Sequence, residues 1–166
     1  MKNPDQYFMN LAKATASASK DELTKLGAII IGPDKEIRAT GFNSFPRGIN
    51  DNVPARQKRP EKYLWIEHAE RNAIYCAAMH GAALKGCTLY CEWLPCTDCA
   101  RGIIQVGIVK VITSSFDIPP RWLSDMTVSI TMLKEAGVFV QKLGDEQPTP
   151  WDQILTSSTP KDNDNT

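Results

Sequence analysis

Two short motifs in this 166-residue chain combine side chains that bind a metal ion with one that moves protons. His68-Ala69-Glu70 supplies an imidazole and a carboxylic acid, and Pro95-Cys96-Thr97-Asp98-Cys99 supplies two thiols. One His and two Cys give tetrahedral Zn²⁺ three protein ligands, whereas a structural site normally closes the fourth position with another Cys or His. A water in that open position would have its pKa lowered from about 15.7 to roughly 7. The pattern therefore predicts a hydrolytic zinc site, with the Glu as an unliganded acid/base.

The spacing inside each motif suits these roles. Cys96 and Cys99 are three positions apart, so both sulfurs would lie on one side of a first helical turn, where the helix N-terminus favours thiolates. Pro95 is typical of such a helix start. His68 and Glu70 are two positions apart, which separates their directions by about 200° on a regular helix. They are therefore expected to differ in function, one holding the metal and the other leaning into the cleft above it.

The cysteines allow other interpretations. A Cys-x-x-Cys pair alone is more often half of a structural zinc site or a redox pair, but Pro95 and the upstream His-Ala-Glu favour a catalytic site. A thioredoxin-like motif would follow the first strand of its unit, whereas this one lies in the second half of the chain. Cys87 and Cys91 share one face of a predicted strand and, with Cys76, suggest a second metal. Buried free thiols are the favoured interpretation, because free Cys is usually internal.

Length and composition predict one domain of ordinary globular type. The chain is too short for two typical domains, and its 42% apolar and 23% charged residues include no run that approaches the ~20 residues needed to cross a bilayer. The N-terminus lacks a secretory apolar region, and five cysteines form no disulfide-like framework, so we expect a reducing, cytoplasmic location. Lys plus Arg equals Asp plus Glu at 19 each, which argues against a broad nucleic-acid surface.

Positive charge is nevertheless concentrated in one Pro-rich segment between Phe45 and Tyr63. The cations of this basic loop are Arg47, Arg56, Lys58, Arg59 and Lys62. Such a segment is either a solvated loop or a lid that grips a nucleotide phosphate through charge-assisted hydrogen bonds. Two aromatic residues, Trp93 beside the second motif and Phe116 after a predicted strand, are candidates for stacking on or closing over a base.

Hydrophobic periodicity and turn residues predict the elements that must position these motifs. Helices are expected at residues 7–19, 67–79, 96–106 and 122–136, and strands at 27–31, 36–42, 87–93, 109–113 and 138–142. The first two strands should form a hairpin, and the later alternation of strands and helices predicts parallel strands in a mixed sheet covered on both faces. Residues 1–143 would form the domain. Residues 144–166 would be a polar, flexible tail in which Trp151 and Ile154-Leu155 dock onto it.

Residues 5–143 resemble the cytidine and deoxycytidylate deaminase superfamily, and most closely the deoxycytidylate (dCMP) deaminases. The matching segments are LGAIIIGPDKEIRATGFNSFPRG from Leu26 to Gly48, HAERNAI from His68 to Ile74, and GCTLYCEWLPCTDCARGIIQVGI from Gly86 to Ile108. The metal-binding motifs are shared across the superfamily. The Gly-Phe-Asn-x-x-Pro element at Gly41 to Pro46 is more discriminating, because it resembles the Gly-Tyr-Asn-Gly-x-Pro segment of dCMP deaminases, whose Asn contacts substrate.

The resemblance implies a single-domain, three-layer α/β/α fold with a mixed sheet of about five strands, and conversion of dCMP to dUMP and ammonia. It implies zinc held by His68, Cys96 and Cys99, with Glu70 carrying protons to cytosine N3 and to the leaving amine. Base and sugar would be held by the side chain of Asn43 and the backbone around Ala69. Phosphate contact is assigned to Arg47 as a hypothesis, motivated by its place directly after the Asn-bearing segment.

Alternatives for the function stay open at this point. Within the enzymes they are deamination of another nucleotide, a nucleoside, a free base or tRNA adenosine; the balanced charge speaks against tRNA. A catalytically silent zinc module that binds nucleotide or protein is a different class, and the presence of Glu70 counts against it. By resemblance, the partners expected are a small nucleotide and further copies of the chain in a symmetric homo-oligomer, with no nucleic acid and no membrane.

Overall fold

A computed structural model describes residues 3–156 of the chain. The helices are α1 (Pro4–Ala16), α2 (Pro54–Gln57), α3 (Lys62–Trp65), α4 (Ala69–Met79), α5 (Thr97–Gln105), α6 (Leu123–Glu135) and α7 (Trp151–Thr156). The strands are β1 (Gly27–Ile31), β2 (Ile37–Phe42), β3 (Thr88–Cys91), β4 (Lys110–Thr113) and β5 (Phe139–Lys142), and a short 3₁₀ turn covers Pro120–Trp122. None of the helices within residues 3–156 is long and apolar enough to span a membrane.

The strands form one mixed sheet. Within the described residues its order is β2-β1-β3-β4-β5, with β1 antiparallel to both β2 and β3. The pairs β3 with β4 and β4 with β5 are parallel, because α5 and α6 are the crossovers that return the chain to the same end of the sheet. The hairpin, the parallel half and the predicted number of strands are confirmed.

Side chains of β1 alternate between two cores, which makes the fold three-layered. Ile29 and Ile31 pack with Phe8 and Met9 of α1 on one face, whereas Ala28 and Ile30 join the core under α4, α5 and α6 on the other. All five residues of β1 are buried, as expected for a central strand covered on both faces. Each buried Ile stabilises the fold by roughly 1.5–3 kcal/mol. The predicted α/β/α architecture is confirmed.

The first helix begins earlier than its apolar spacing indicates. Asn3 precedes α1, and its side chain accepts a hydrogen bond from the backbone N–H of Gln6 at 3.1 Å. Pro4 occupies the first helical position, where its missing N–H costs nothing. These capping residues start the helix about one turn before the first residue of the apolar pattern, and the helix ends at Ala16, three residues before the predicted end at residue 19.

The basic loop contains two short helices, α2 and α3, that were not predicted. Each has four residues, too few to show helical periodicity. The Arg56 guanidinium lies 3.9 Å from the ring centroid of Trp65, and Lys62 forms a buried ion pair with Asp21 at 2.7 Å. The first contact lies within this part of the chain, and the second ties its end to the segment before β1.

Part of the predicted tail packs on the domain. The Thr149 backbone N–H donates to the Val140 carbonyl at 2.9 Å, Ile154 is fully buried, and Trp151 packs against the same core. Docking of Trp151 and Ile154 therefore agrees with the sequence-based expectation. The side chain of Leu155 and residues 157–166 lie outside the described residues. The domain boundary at residue 143 and the flexibility of the last residues stay predictions.

Helix α4 lies directly on strand β2 because Gly41 has no side chain. A Cβ at Gly41 would lie 2.3 Å from the carbonyl oxygen of Ala69 and 2.3 Å from the backbone N of Ala73. These are backbone atoms of α4 and cannot rotate away. The glycine therefore sets the distance between the sheet and the start of α4, where His68 and Glu70 lie.

Gly41→Ala should separate α4 from the sheet, lower stability by about 1–3 kcal/mol through overpacking, and weaken metal binding. Thermal denaturation and zinc titration would measure both effects. The matched control is Gly102→Ala, because a Cβ there meets only the flexible end of Ile74 at 3.3 Å and Ala favours a helix. Equal stability of the two variants would contradict the role given to Gly41.

Candidate functional site

The N-termini of α4 and α5 meet at one edge of the sheet. His68 is the N-cap residue of α4, and Cys96 is the N-cap residue of α5; both have extended backbone angles. Cys99 lies in the first turn of α5. Each helix thus directs its partly positive end toward the same point, which favours thiolates over thiols.

The three predicted ligands come together in the structure. The Nδ1 atom of His68 lies 3.4 Å from the Sγ atom of Cys96 and 3.6 Å from that of Cys99. Tetrahedral Zn²⁺ with usual bond lengths places such atoms about 3.6 Å apart. Within residues 3–156, this is the one group of three or more His, Cys, Asp or Glu side chains whose ligand atoms lie within 4.8 Å of one another. The donor set and spacing fit zinc.

The two thiols have opposite protonation tendencies. A hydrogen bond from Cys99, followed by one from His68, lowers the pKa of Cys96 to about 4. The same interaction raises the pKa of Cys99 well above its usual value, because both sulfurs cannot easily become negative side by side without a cation. The hydrogen bond to Cys96 also raises the pKa of His68. A divalent cation would relieve the repulsion and bind both sulfurs as thiolates.

Glu70 lies beside this group without belonging to it. It is the second residue of α4, is 8% exposed, and shares a cavity with His68 and Cys96. Its carboxylate oxygens fall outside the group of ligand atoms within 4.8 Å. Burial raises the pKa of Glu70, which suits a group that accepts and returns protons near neutral pH.

The cavity that contains these residues has mostly apolar walls. Three aromatic residues line it: Trp93, Tyr63 and Trp122. The rings of Tyr63 and Trp122 pack edge to face, with their centroids 5.7 Å apart and an interplanar angle of 88°. The full set of lining residues includes Asp21, Thr24, Leu26, Asn43, Arg59, Lys62, Ile66, Leu94, Asp117, Ile118, Pro119, Arg121 and Met126. An apolar enclosure strengthens the electrostatic interactions of the few polar groups inside it.

Phe116 does not line the cavity, so its assignment to base closure is wrong. Its side chain is 5% exposed and packs in the main core. The residues that follow it reach the cavity instead, namely Asp117, Ile118 and Trp122. The sequence indicated that the segment after β4 adjoins the site, but it did not show which side chains of that segment line the cavity.

Asn43 lines the cavity, but its amide already has protein partners. Its Nδ2 atom donates to the Thr24 carbonyl at 2.7 Å and to Asp21 at 3.3 Å. Its Oδ1 atom accepts from the Leu26 backbone at 2.8 Å. Ala69, the first residue of α4, is 1% exposed and lies in the main core. Both residues adjoin the site, and the substrate contacts expected of them stay predictions.

Arg47 lies apart from the other predicted site residues. It is exposed and lines a separate hollow with Asp51, Glu67 and Tyr75. Two other cations of the basic loop, Arg59 and Lys62, line the main cavity, together with Arg121 from the segment after β4. The cluster of basic residues in the sequence indicated that this segment could bind a phosphate. The order of these residues along the chain did not show which of them line the cavity.

The remaining cysteines do not form a second metal group among the described residues. Cys87 and Cys91 are buried and Cys76 is half-buried; all are free thiols. The Cys91 thiol donates to the Trp93 carbonyl at 3.1 Å. The interpretation of Cys87 and Cys91 as buried free thiols is confirmed.

Comparisons with known proteins agree with this geometry. The model of the cytidine and deoxycytidylate deaminase zinc-binding region matches residues 2–115. Deoxycytidylate deaminase of Mus musculus is 35% identical over 142 residues, covering 82% of this chain and 78% of that protein. An uncharacterized deaminase encoded in the luxG 3′ region of Aliivibrio fischeri is 38% identical over 135 residues, covering 80% and 88%. The crystal structure of dCMP deaminase from the cyanophage S-TIM5 with dCMP and dUMP superposes with a TM-score of 0.67 at 28% identity, covering 83% and 95%.

Cys99→Ser should abolish tight zinc binding, because the hydroxyl is a poor substitute for a thiolate on this metal. Metal analysis of purified protein should find about one zinc ion per chain in the wild type and little in the variant. Cys76→Ser is the control, because that half-buried thiol lies outside the ligand group. Retention of zinc by Cys99→Ser would rule out Cys99 as a ligand.

Proposed function

The chain belongs to the cytidine and deoxycytidylate deaminase family, and from this premise we propose that it hydrolyses dCMP to dUMP and ammonia. As a member of this family it is a zinc-dependent hydrolytic deaminase. The observation that supports the assignment most directly is the burial of Glu70 in one cavity with His68 and Cys96. The deoxycytidylate deaminase relatives favour a pyrimidine deoxynucleotide as the substrate.

In the proposed reaction His68, Cys96 and Cys99 hold the metal and Glu70 moves the protons. Zinc at this position supplies a bound water whose pKa is lowered to about 7. Glu70 would take one proton from the attacking water and deliver it to cytosine N3 while the water oxygen bonds to C4; it would then carry the remaining proton of that oxygen to the 4-amino group, so that the C4–N bond breaks and ammonia leaves. The raised pKa of Glu70 supports this cycle, because the carboxyl must be basic enough to take each proton and acidic enough to return it.

The apolar walls position the base and exclude bulk water. Trp93 and Leu94 border the metal-binding Cys96, and Ile118 faces the same cavity. Flat apolar surfaces favour an aromatic ring by stacking and burial. A ring held there can present its exocyclic amine to the metal while Glu70 stays close to its ring nitrogen.

The phosphate would lie at the cavity mouth, between Arg59 and Arg121. Both line the cavity and are exposed, which suits binding of a hydrated dianion through charge-assisted hydrogen bonds. They belong to two segments that meet at the cavity, since Tyr63, which follows Arg59 in the chain, contacts Trp122, the residue after Arg121. This proposal replaces Arg47 with two cations that lie next to the site.

Assembly and location are proposed on other grounds. Family relationship favours a symmetric homo-oligomer. The five cysteines are all free thiols in the structure, which is typical of a reducing cytoplasm. A silent zinc module would leave the buried Glu70 without a role, so no observation favours it over the enzyme.

Zinc-loaded protein offered dCMP, CMP, deoxycytidine and cytosine should release ammonia fastest from dCMP. Glu70→Gln should keep its zinc and lower kcat for dCMP by about 10²–10⁴-fold, because the amide cannot carry protons. Glu135→Gln, at the exposed end of α6, controls for the charge change. Zinc-bound wild-type protein that is inactive on all four compounds would favour the silent module.

Charge reversal distinguishes the two residues assigned to the phosphate, Arg59 from the structure and Arg47 from the sequence. Arg59→Glu should raise KM for dCMP about tenfold or more while sparing deoxycytidine, because only the nucleotide carries the phosphate. The sequence-based assignment predicts the same result for Arg47→Glu, whereas the structure predicts little change there. Steady-state kinetics on both substrates would separate them; equal effects of Arg59→Glu on nucleotide and nucleoside would reject the cavity assignment.

A further inference from the structure

The most unusual charged group in the cavity is the ammonium of Lys62. The Lys62 side chain is 6% exposed and that of its partner Asp21 is 3% exposed, with Nζ 2.7 Å from Oδ2. An ammonium has three N–H donors, and Asp21 accepts one of them. Lys62 also lines the cavity that contains His68 and Glu70, so a ligand in this cavity is a candidate partner for its other donors.

Asp21 is fully occupied as an acceptor. Its Oδ1 atom accepts from the backbone N–H groups of Leu23 and Thr24 at 2.9 and 3.1 Å. Its Oδ2 atom accepts from Lys62 and, at 3.3 Å, from Asn43. Burial alone would raise the pKa of Asp21, but the hydrogen bonds from Lys62, Leu23 and Thr24 outweigh it and lower the pKa. The carboxylate therefore stays ionised, and its charge cancels that of Lys62.

Asn43 complements Lys62 at the same carboxylate oxygen. Both amide hydrogens of Asn43 are donated to protein acceptors, whereas Oδ1 receives one hydrogen bond, from Leu26, and can accept a second. To a ligand in the cavity that both residues line, Asn43 thus offers an acceptor and Lys62 a donor. A group that both donates and accepts, such as a hydroxyl, matches this pair.

A phosphate does not match it. A dianion would be repelled by the ionised Asp21 behind the ammonium, and it has no hydrogen to give to the Asn43 oxygen. The exposed residues Arg59 and Arg121 line the same cavity and are the cations proposed above to bind the phosphate. The sugar of dCMP carries one free hydroxyl group, at the 3′ position.

We propose that Lys62 is a substrate-binding residue that donates a hydrogen bond to the sugar 3′-hydroxyl, which in turn donates to Asn43. Asp21 is the positioning residue that orients both side chains. This inference rests on the proposed function, since it takes a deoxycytidine nucleotide as the substrate. It adds recognition of the sugar 3′-hydroxyl, by Lys62 and Asn43, to the proposed deamination of the base.

The test compares dCMP with 2′,3′-dideoxycytidine monophosphate, which lacks the hydroxyl. Wild-type enzyme should favour dCMP in kcat/KM by about 10- to 100-fold, as expected for a hydrogen bond to a charged donor. Lys62→Met should lower kcat/KM for dCMP by a similar factor and leave the dideoxy compound nearly unchanged. Because the readout is a ratio for one preparation, a partial loss of folded protein cancels.

Two further variants keep the test decisive. Removal of Lys62 alone leaves a buried, uncompensated Asp21, so the double variant Asp21→Asn/Lys62→Met removes both charges and should lose the same substrate preference. Lys20→Met is the matched control: Lys20 forms an ion pair with Asp51, also at 2.7 Å, but its side chain is 74% exposed and it does not line the cavity. That variant should keep the wild-type ratio.

The outcomes separate this proposal from the function on which it rests. Equal losses on both substrates in Lys62→Met would show that the lysine is structural and overturn its contact with the hydroxyl. Wild-type enzyme that accepts the two substrates equally would also overturn it and leave dCMP deamination intact. Wild-type protein that releases no ammonia from dCMP would overturn the proposed function, and the role of Lys62 with it.

Discussion

The chemistry of this chain depends on the approach of two helix N-termini, which brings one imidazole within 3.4 and 3.6 Å of two sulfurs. The hydrogen bond between the two sulfurs lowers the pKa of Cys96 and raises that of Cys99, as expected where two adjacent thiolates would repel each other. The positive ends of α4 and α5 offset part of that repulsion. A divalent cation would offset the rest and bind both sulfurs as thiolates, which couples the affinity for metal to the fold.

Local motifs allowed the central chemistry to be predicted from the sequence. The metal ligands could be identified because a spacing of a few residues is enough to predict ligands at a helix start; they are His68, Cys96 and Cys99. The sheet could be predicted because its strands show alternating or continuous apolar patterns. Arg59 and Arg121 were not distinguished, because they approach the cavity from segments that are distant in sequence. Phe116 and the helices α2 and α3 were misjudged or missed for the same reason: tertiary contacts, rather than periodicity, decide their conformation.

The polar network beside the metal site illustrates what local patterns leave out. Asp21, Asn43 and Lys62 lie on three separate segments of the chain. Asn43 and Lys62 nevertheless donate hydrogen bonds to the same oxygen, Oδ2 of Asp21. Burying an ion pair costs desolvation energy that an apolar pair would avoid, so its presence next to the cavity is easier to understand as a device for specificity than for stability. The same low-polarity surroundings that make the pair costly would also strengthen a hydrogen bond from Lys62 to a ligand in the cavity.

The contact between Gly41 and α4 has a consequence for precision. Because backbone meets backbone there, no rotamer lies between the pleated sheet and the turn that carries Glu70. Side-chain hopping elsewhere in the core, which would shift a helix packed through long residues, is not transmitted through this junction. The start of the helix that carries Glu70, the proposed proton carrier, is therefore held in position by main-chain contact with the sheet.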